Sequence, residues 1–512
     1  MQITTPEWVR DAVFYQIFPD RFAKSERIPK QGLNLEQWDS NPTVFGFKGG
    51  DLLGVMEHLD YLQELGITAI YFNPIFASAA NHRYHTYDYF HVDPILGGNE
   101  AFRQLLEAAH ARGIRIVLDG VFNHASRGFW QFHHTLENGA SSPYLEWFYF
   151  DPDRLHGKRQ FGAYPSAMER KALQTEGSWK AIGYQAWWDL PALPKFNTQT
   201  PAVRTFIFEV AEYWIRFGID GWRLDVPAEI DDDGFWREFR SRVKAINPHA
   251  YIVGEIWEES QRWLQGDQFD AVMNYQLTLA SLGFFTGKHL DLQETRRAGG
   301  YRDKVHQLNG KEFGAQIEHV LSLYDPAINQ VQLNLLDSHD TPRYLTSASG
   351  DFASLELALL FMFTCPGASC IYYGDEIGLD GRQDPECRKS FPWERSRWNE
   401  GLFSYTKRCI SLRNAHSCLR RGSYQTLFFS ENVYAFARKN EEETLVIAIN
   451  AGEYANNVNF SVDALSLPEG LLESIFGEAT AMVQDGHVND FTLAPRSAVV
   501  MKRQGSLIST SP

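Results

Sequence analysis

Apolar positions form two alternating patterns along most of the chain. Short runs in which nearly every position is apolar, many of them β-branched or aromatic, occur at residues 13–18, 67–72 and 114–118. Such runs are typical of strands that are buried on both faces. Between them lie segments with apolar residues at spacings of three and four, which predicts amphipathic helices. The chain therefore alternates strand and helix, as parallel α/β proteins do.

The predicted helices have recognisable ends. One begins after Asp51 and another after Asn99, and each of these has a capping side chain and a terminal glycine. A third begins at Thr200-Pro201, with proline at the first helical position. About eight strand–helix units in succession predict a (β/α)8 TIM barrel. A doubly wound open sheet is the alternative architecture for this order of elements.

The alternation breaks in two places. Residues 123–197 are rich in aromatic residues, Gly and Pro and separate the third strand from its helix; a plain loop of this length is uncommon. We expect a small inserted domain there, so that residues 1–122 and 198–420 form the barrel. Residues 421–503 predict a C-terminal antiparallel β-sandwich, and residues 504–512 form a polar tail. The strand-like runs of the sandwich are residues 424–429, 433–438, 444–449 and 498–502.

Charge and cysteine usage limit the partners and the compartment. The chain has 64 acidic and 48 basic residues and a net charge of −16, which opposes binding to nucleic acid or to anionic lipid. Its five cysteines are too few and too irregularly spaced for a disulfide framework or a zinc site. The N-terminus has no basic and apolar signal segment, and no apolar stretch is long enough to span a membrane. We expect a cytoplasmic protein.

Polar residues follow several of the predicted strands. In a parallel barrel the active site is built at the carboxyl ends of the strands. Any one of these residues could cap a helix, but together they would bury several unpaired charges, which is costly unless they serve a shared site. The polar residues at the strand ends are Asp119, Asn123 and His124 on the third strand, Arg223 and Asp225 on the fourth, Glu255 on the fifth, and Asp337, His339 and Asp340 on the seventh.

Asp225 and Glu255 form the most informative pair. Each closes an apolar run, and strands about 4.8 Å apart would place the two carboxyl groups near the roughly 5–5.5 Å that a retaining glycosidase requires. The pair therefore predicts glycoside hydrolysis with retention. Arg223 would keep Asp225 ionised. We expect the pKa of Glu255 to be raised by a desolvated, carboxylate-rich setting with Trp257 close by.

These motifs resemble the α-amylase family of glycoside hydrolases. Four short regions of that family are similar to residues 119–124, 221–225, 254–255 and 338–340. The run Leu-Pro-Lys-Phe-Asn at residues 193–197 resembles a fifth region as it occurs in the cyclomaltodextrinase, neopullulanase and maltogenic amylase group. The resemblance implies a barrel that hydrolyses α-glucans: maltooligosaccharides, cyclodextrins, pullulan or branched starch and glycogen.

The resemblance also implies roles for individual residues. Asp225 is the nucleophile, Glu255 is the general acid and base, and Asp340 is the third carboxylate, which binds sugar hydroxyls and stabilises the transition state. Tyr84 is the platform on which the sugar ring stacks. The residues expected to bind substrate are His82, Tyr84, His124, Arg223, Glu229, Trp257, His339 and Arg388.

Four positions depart from the pattern of that group. His85 stands where related enzymes commonly have Asp, which implies that an Asp–Arg pair closing the pocket is missing. Pro227-Ala228 stands where the group tends to have Ala-Asn, and Asp337 where Gly is usual, whereas Glu229 is retained. Residues just past the nucleophile face the leaving group, so the choice between α-1,4 and α-1,6 bonds stays open.

The start of the chain and the calcium position add further expectations. The chain begins almost at its first barrel strand, whereas members of the group usually carry an N-terminal β-domain. This implies an open cleft that tolerates long or branched glucans, with debranching at α-1,6 points. It also implies a monomer, or a dimer that is not mediated by an N-terminal domain. Asn123 corresponds to part of a structural calcium site in many family members. No cofactor and no catalytic metal are required.

Two alternatives to hydrolysis remain. The same covalent intermediate can be intercepted by a sugar in place of water, which would make the protein a glucan glycosyltransferase. The second alternative is a catalytically silent glucan-binding protein that keeps the barrel. The presence of Asp225, Glu255 and Asp340 together argues against it.

Overall fold

The fold was analysed in a computed structural model that describes residues 3–156 and 161–503. The predicted polar tail at residues 504–512 lies outside this part of the chain. The strands are β1 (Val13–Ile17), β2 (Ala69–Phe72), β3 (Phe76–Ser78), β4 (Thr86–Val92), β5 (Arg115–Gly120), β6 (Gly221–Leu224), β7 (Tyr251–Gly254), β8 (Ala271–Val272), β9 (Leu333–Leu335), β10 (Ala368–Tyr372), β11 (Ser423–Phe429), β12 (Val433–Lys439), β13 (Thr444–Asn450), β14 (Asn456–Ser461), β15 (Gly470–Phe476), β16 (Thr480–Gln484), β17 (His487–Leu493) and β18 (Ser497–Arg503).

The α-helices lie mainly between the strands of the first sheet. They are α1 (Glu7–Asp11), α2 (Pro19–Phe22), α3 (Leu52–Glu57), α4 (Leu59–Leu65), α5 (Gly98–Ala111), α6 (Trp130–Asn138), α7 (Pro152–Leu155), α8 (Ala167–Ile182), α9 (Pro201–Phe217), α10 (Asp233–Ile246), α11 (Tyr275–Phe285), α12 (Leu292–Thr295), α13 (Gly310–Ser322), α14 (Pro326–Asn329), α15 (Tyr344–Ser347), α16 (Phe352–Thr364), α17 (Glu400–Ala415) and α18 (Ser417–Arg421).

Eight parallel strands form the barrel, in the order β8-β7-β6-β5-β2-β1-β10-β9. A parallel bridge between Met273 and Leu333 joins its two edge strands, β8 and β9. Every residue of β1, β2, β6, β7 and β10 is buried, because side chains fill the interior and helices cover the outside. The predicted (β/α)8 fold is confirmed, and the open sheet is excluded.

The predicted helix starts were right in one case and wrong in another. The Asp51 side chain accepts a hydrogen bond of 2.7 Å from the backbone N–H of Gly54 in the first turn of α3. The glycine that ends α4, Gly66, has a φ of 98°, which glycine adopts without strain. Asn99 caps no helix, since α5 begins at Gly98. Its carboxamide instead accepts a 2.7 Å hydrogen bond from the backbone of Val92 and so ties α5 to β4.

The segment between β5 and α9 carries the helices α6, α7 and α8. Isolated antiparallel bridges pair His124 with Lys195 and Phe148 with Phe196, so the two ends of the segment lie side by side. Aromatic residues pack inside it; the rings of Phe132 and Tyr184 are 4.9 Å apart. The segment follows the carboxyl end of β5 and therefore stands at the face of the barrel where the active site is expected.

The C-terminal strands form one continuous antiparallel sheet, in the order β11-β12-β13-β18-β15-β16-β17-β14. Phe428 and Phe460, from the two strands at its opposite ends, have ring centroids 6.1 Å apart, so the sheet curls around its own core. Phe436 and Ile447 instead join the core of the barrel, which fastens the two domains together. The sequence pattern missed four of these strands, β14 to β17.

Two further observations concern compartment and redox state. All five cysteines are free and buried. No helix in the described part of the chain is long and apolar enough to cross a membrane.

Candidate active site

The register of two barrel strands sets the central pair of carboxylates side by side. Leu224 of β6 pairs with Gly254 of β7, so Asp225 and Glu255 are the next residues on adjacent strands. The backbone N–H of Glu255 donates to the carbonyl of Leu224 at 2.9 Å and extends the pairing by one step. Both carboxylates are buried, with 7% and 6% of their surface exposed.

Arg223 connects the carboxylates of three strands. Its Nη1 lies 2.8 Å from Asp119 Oδ1 and 3.0 Å from Asp225 Oδ1, and its Nη2 lies 2.9 Å from Glu255 Oε2. The guanidinium is completely buried. Since an unpaired buried charge costs several kcal/mol, this one cation allows all three carboxylates to be held inside the barrel. The sequence predicted the contact with Asp225 but not the contacts with Asp119 and Glu255.

Asp119 anchors this cluster to the tyrosines of the neighbouring segments. Its Oδ2 accepts hydrogen bonds from the hydroxyls of Tyr71, at 2.9 Å, and Tyr84, at 2.8 Å. Both oxygens also accept from Arg223. A carboxylate with so many donors has no capacity left for chemistry, so Asp119 acts as a support for Arg223 and Tyr84.

Burial governs the protonation of the pair. It raises the pKa of Asp225 well above its ordinary value and also raises the pKa of Glu255, while Arg223 opposes the shift in both groups. Repulsion from Glu255, Asp119 and Asp340 raises the pKa of Asp225 further, and repulsion from Asp340 and Asp119 does the same for Glu255. Two interacting carboxyl groups of this kind titrate as one pair and retain a proton at higher pH than free carboxyls do. The raised pKa of Glu255 agrees with the prediction. The raised pKa of Asp225 runs against the expectation that Arg223 keeps this group ionised, because the effect of burial is larger than that of the guanidinium.

Asp225 and Glu255 differ in their remaining contacts. Glu255 accepts hydrogen bonds from Val226 N at 3.2 Å and from Trp257 Nε1 at 3.3 Å. Asp225 Oδ2 is buried and accepts no hydrogen bond from any residue that the structure describes. An oxygen without a donor has a lone pair available for attack.

The loop after β9 brings the third carboxylate and its partners. Arg388 Nη2 lies 3.2 Å from Asp340 Oδ1, and Arg388 Nε donates to the carbonyl of His339 at 2.9 Å. Arg388 also pairs with Asp384 at 3.1 Å. About a third of the Asp340 side chain, 36%, is exposed, which makes it the most accessible of the three predicted carboxylates.

Tyr84 and His339 form an aromatic pair next to this loop. Their rings are parallel within 5° with centroids 5.4 Å apart, and the Tyr84 hydroxyl lies 2.7 Å from His339 Nε2. On the other side of the imidazole, Gln16 Nε2 lies 3.0 Å from His339 Nδ1. Burial lowers the pKa of His339 well below its ordinary value, and the nearby Arg388 lowers it further, so the ring is neutral. His82 lies next to Tyr84, with ring centroids 5.7 Å apart.

Trp257 closes one side of the carboxylate pair. Its indole stacks on Tyr275 at a centroid separation of 3.7 Å and an angle of 3°. Gly300 makes room for the ring, because a Cβ at this position would lie 2.0 Å from Trp257 Cε3. The run at residues 269–275, which ends at Tyr275, resembles the cyclomaltodextrinase group, but nothing in the sequence indicated the contacts that Tyr275 and Gly300 make with Trp257.

Glu229 and His85 lie towards the edge of the site. Glu229 is exposed and its Oε2 lies 3.5 Å from Lys195 Nζ, at the end of the inserted segment. It is therefore placed at the rim and not beside the buried carboxylates. His85 is half-buried, and burial lowers its pKa to about 4. Its ring lies 4.9 Å from that of His82, so it adjoins the residues expected to bind the sugar.

His124 and Asn123 follow β5 and are buried. Burial lowers the pKa of His124 to about 3, and its Nε2 has no hydrogen-bond partner in residues 3–156 and 161–503. Asn123 Oδ1 also has no donor there, but the carbonyl of His124 already accepts from the hydroxyl of Tyr89 at 2.9 Å. The described residues contain no group of three or more His, Cys, Asp or Glu side chains arranged for a metal ion. Calcium also binds amide and backbone carbonyl oxygens, which are not among those side chains, so calcium at Asn123 stays a prediction.

Fold and site together define a class of enzyme. A closed parallel barrel with two adjacent buried carboxylates, a third carboxylate on a neighbouring loop, a shared arginine and an aromatic pair has the composition of a retaining glycosidase site.

Sequence comparison identifies the family. The alpha amylase catalytic domain matches residues 16–418, and the alpha-amylase C-terminal domain matches residues 422–500. The chain belongs to the α-amylase family of glycoside hydrolases. It is 43% identical to a cyclomaltodextrinase of Geobacillus thermopakistaniensis over 90% of this chain and 72% of that protein. It is 42% identical to neopullulanase 2 of Thermoactinomyces vulgaris over 87% of this chain and 70% of that protein. Its fold is similar to the crystal structure of the Nostoc punctiforme debranching enzyme, with a TM-score of 0.87 and 48% identity over 98% of this chain and 100% of that chain.

Proposed function

We propose that the protein hydrolyses α-glucosidic bonds of maltooligosaccharides and branched glucans, including α-1,6 branch points, with retention of the anomeric configuration. The observation that carries the proposal is the contact of one buried guanidinium, that of Arg223, with Asp225 and Glu255 on adjacent strands. The names of its relatives, a cyclomaltodextrinase, a neopullulanase and a debranching enzyme, support this substrate class.

The chemistry takes place in two displacements. In the first, Asp225 attacks the anomeric carbon through Oδ2, the oxygen without a hydrogen-bond donor in the described structure. The glycosidic bond breaks, and its oxygen takes the proton of Glu255. In the second, Glu255 removes a proton from water, which attacks the same carbon, breaks the bond to Asp225 and leaves Glu255 protonated again.

The environment of the pair supports this division of duties. Burial raises the pKa of both groups, and such a pair retains one proton to higher pH than a free carboxyl group does. We place that proton on Glu255 because Asp225 Oδ2 is free to attack and Asp225 Oδ1 is held by Arg223 at 3.0 Å. Asp340, the more exposed carboxylate, is placed to bind sugar hydroxyls. No step requires a metal or another cofactor.

One experiment tests the proposal directly. The protein is incubated with maltotriose, β-cyclodextrin, pullulan and amylopectin, and the newly formed reducing ends are followed by proton NMR during the first minutes. Retention predicts that the α-anomer appears first and then mutarotates. An initial β-anomer, or no new reducing ends from any of the four substrates, would overturn the proposal. Sugar transfer products at high acceptor concentration would favour glycosyl transfer.

The partners and the compartment complete the proposal. The net charge of −16 supports a neutral polysaccharide as the partner, with neither nucleic acid nor membrane involved. Five free, buried thiols are compatible with the reducing cytoplasm. We infer a monomer or a dimer. Sedimentation velocity with and without a glucan ligand tests this, and a larger assembly would contradict it.

A further inference from the structure

A stack of three aromatic rings leads from the active site to the surface of the inserted segment. The ring of His124, which is completely buried, is parallel to that of Trp187 within 14°, with centroids 5.0 Å apart. Trp187 in turn stacks on Trp188 at 4.5 Å and 9°. Trp188 is 76% exposed. The stack therefore begins at a site residue and ends in an indole face that is open to solvent.

The backbone at Trp188 is strained. Its φ of 50° and ψ of 29° lie in the left-handed region, which bulky side chains rarely adopt. The turn is held in place by its neighbours: the backbone N–H of Trp187 donates to Leu193 O at 2.9 Å, and Asp189 Oδ1 accepts from Ser178 N at 2.6 Å. Strain that the surroundings maintain in this way is typical of functional positions.

A large exposed indole in a strained turn needs a reason other than stability. Burial cannot be that reason, because most of the ring contacts solvent, and glycine would adopt this backbone conformation without strain. Stacking on Trp187 fixes the orientation of the ring and presents its outer face. A fixed, flat and apolar face suits the apolar side of a sugar ring.

We propose that the exposed face of Trp188 is an outer subsite that binds a glucose unit of an α-glucan chain at a distance from the bond that is cleaved. This inference rests on the proposed function. The stack connects the subsite to His124, one of the residues expected to bind the sugar at the cleaved bond. The subsite contributes to the binding of long chains and takes no part in bond cleavage.

The test compares a long substrate with a short one in four variants. Trp188→Ala and Trp188→Gly remove the ring, Trp188→Tyr keeps an aromatic face, and Trp130→Ala is the control. Trp130 is also a tryptophan of the inserted segment and is 61% exposed, but it lies outside the stack. We expect Trp188→Ala and Trp188→Gly to raise the KM for amylose roughly three- to tenfold, the effect of losing one aromatic contact. The kcat for amylose and the kcat/KM for maltotriose should stay unchanged.

The controls separate binding from structure. Trp188→Gly should melt at the same or a higher temperature than the wild type, because it relieves the strained φ, and Trp188→Tyr should restore the KM for amylose. Equal rises in KM for amylose and maltotriose, or a rise with Trp130→Ala as large as with Trp188→Ala, would overturn the subsite. So would an unchanged KM for amylose in Trp188→Ala. If the wild type cleaves neither substrate, the proposed function fails instead.

Discussion

Arg388 holds Asp340 in place: its Nη2 lies 3.2 Å from Asp340 Oδ1, and its Nε binds the preceding carbonyl, that of His339, at 2.9 Å. One side chain thus fixes both the carboxylate and the backbone of the loop that carries it. This arginine lies in the 3₁₀ turn Glu386–Arg388. Its contacts therefore join residues 384–388 to residues 338–340, which carry the third carboxylate.

Replacing Arg388 by Ala should therefore impair catalysis more than folding. A displacement of about 1 Å in a catalytic group can cost roughly 100-fold in rate, and we expect a loss of this order in kcat/KM for maltotriose. The control is Lys389→Ala at the next position, whose ammonium pairs with Asp380, an exposed side chain. That variant should keep the wild-type kcat/KM, because surface pairs contribute little. Equal losses in the two variants would show that the positioning argument is wrong.

Gly300 offers a steric test of Trp257. A Cβ on Gly300 would overlap the indole at 2.0 Å, so Gly300→Ala should displace the ring and disturb its hydrogen bond to Glu255. Overpacking of this kind destabilises by about 1–3 kcal/mol, measurable by urea unfolding, and kcat should fall as well. Gly299→Ala is the matched control, since a Cβ there meets no atom within 4 Å. A fully active Gly300→Ala variant would mean that the Trp257 contact is dispensable.

Glu255→Gln separates proton donation from nucleophilic attack. The variant should lose hydrolysis of maltotriose but retain a rapid burst of fluoride release from α-maltosyl fluoride, because fluoride leaves without a proton and only the second displacement then lacks its base. The raised pKa of Glu255 adds a pH signature: wild-type kcat/KM should fall as the pH rises through that pKa, since the acid then loses its proton. With the fluoride substrate, the rate of fluoride release by the variant should not fall in this way at alkaline pH. Equal loss of activity on both substrates would contradict the assignment of Glu255 as acid.

The fold and the carboxylates were predictable because local sequence patterns determine them. The apolar run at residues 67–72 became β2 (Ala69–Phe72), and Asp225 and Glu255 lie at strand ends as expected. In the curled C-terminal sheet, the strands β14 to β17 were missed because polar residues interrupt them and leave no long apolar run.

The contacts that tune the site were not predictable from the chain. Asp119 and Arg223 are 104 residues apart, and the fit of Gly300 around Trp257 exists only after folding. The stack at Trp188 depends on a positive φ that no sequence pattern announced. Local patterns predict which residues end the strands, whereas packing between distant segments decides how each side chain is oriented.

Asp337 lies in a buried acidic pair with Asp375. Asp337 Oδ2 accepts from Tyr344 N at 2.5 Å, and Arg343 Nη1 lies 2.8 Å from Asp375 Oδ1. Burial raises the pKa of Asp337, and it raises that of Asp375 well above the ordinary value with the help of Asp337. One arginine thus faces two carboxyl groups, so the folded protein favours a protonated form of the pair.

This pair should make stability fall as the pH rises. A carboxyl group whose folded pKa is raised contributes stability that is fully present below its unfolded pKa, about 3.9, and is lost as the pH rises through the folded pKa. Asp337→Asn imitates the protonated form and can still accept from Tyr344. The melting temperature of the variant relative to wild type should therefore increase from about pH 5 to about pH 9. Asp351→Asn should behave in the opposite way. Burial alone would raise the pKa of Asp351, but Ser354 and Arg496 outweigh it and lower the pKa. The melting temperature of this variant relative to wild type should therefore decrease as the pH rises from acidic values. Parallel pH curves for wild type and Asp337→Asn would show that Asp337 does not share the proton.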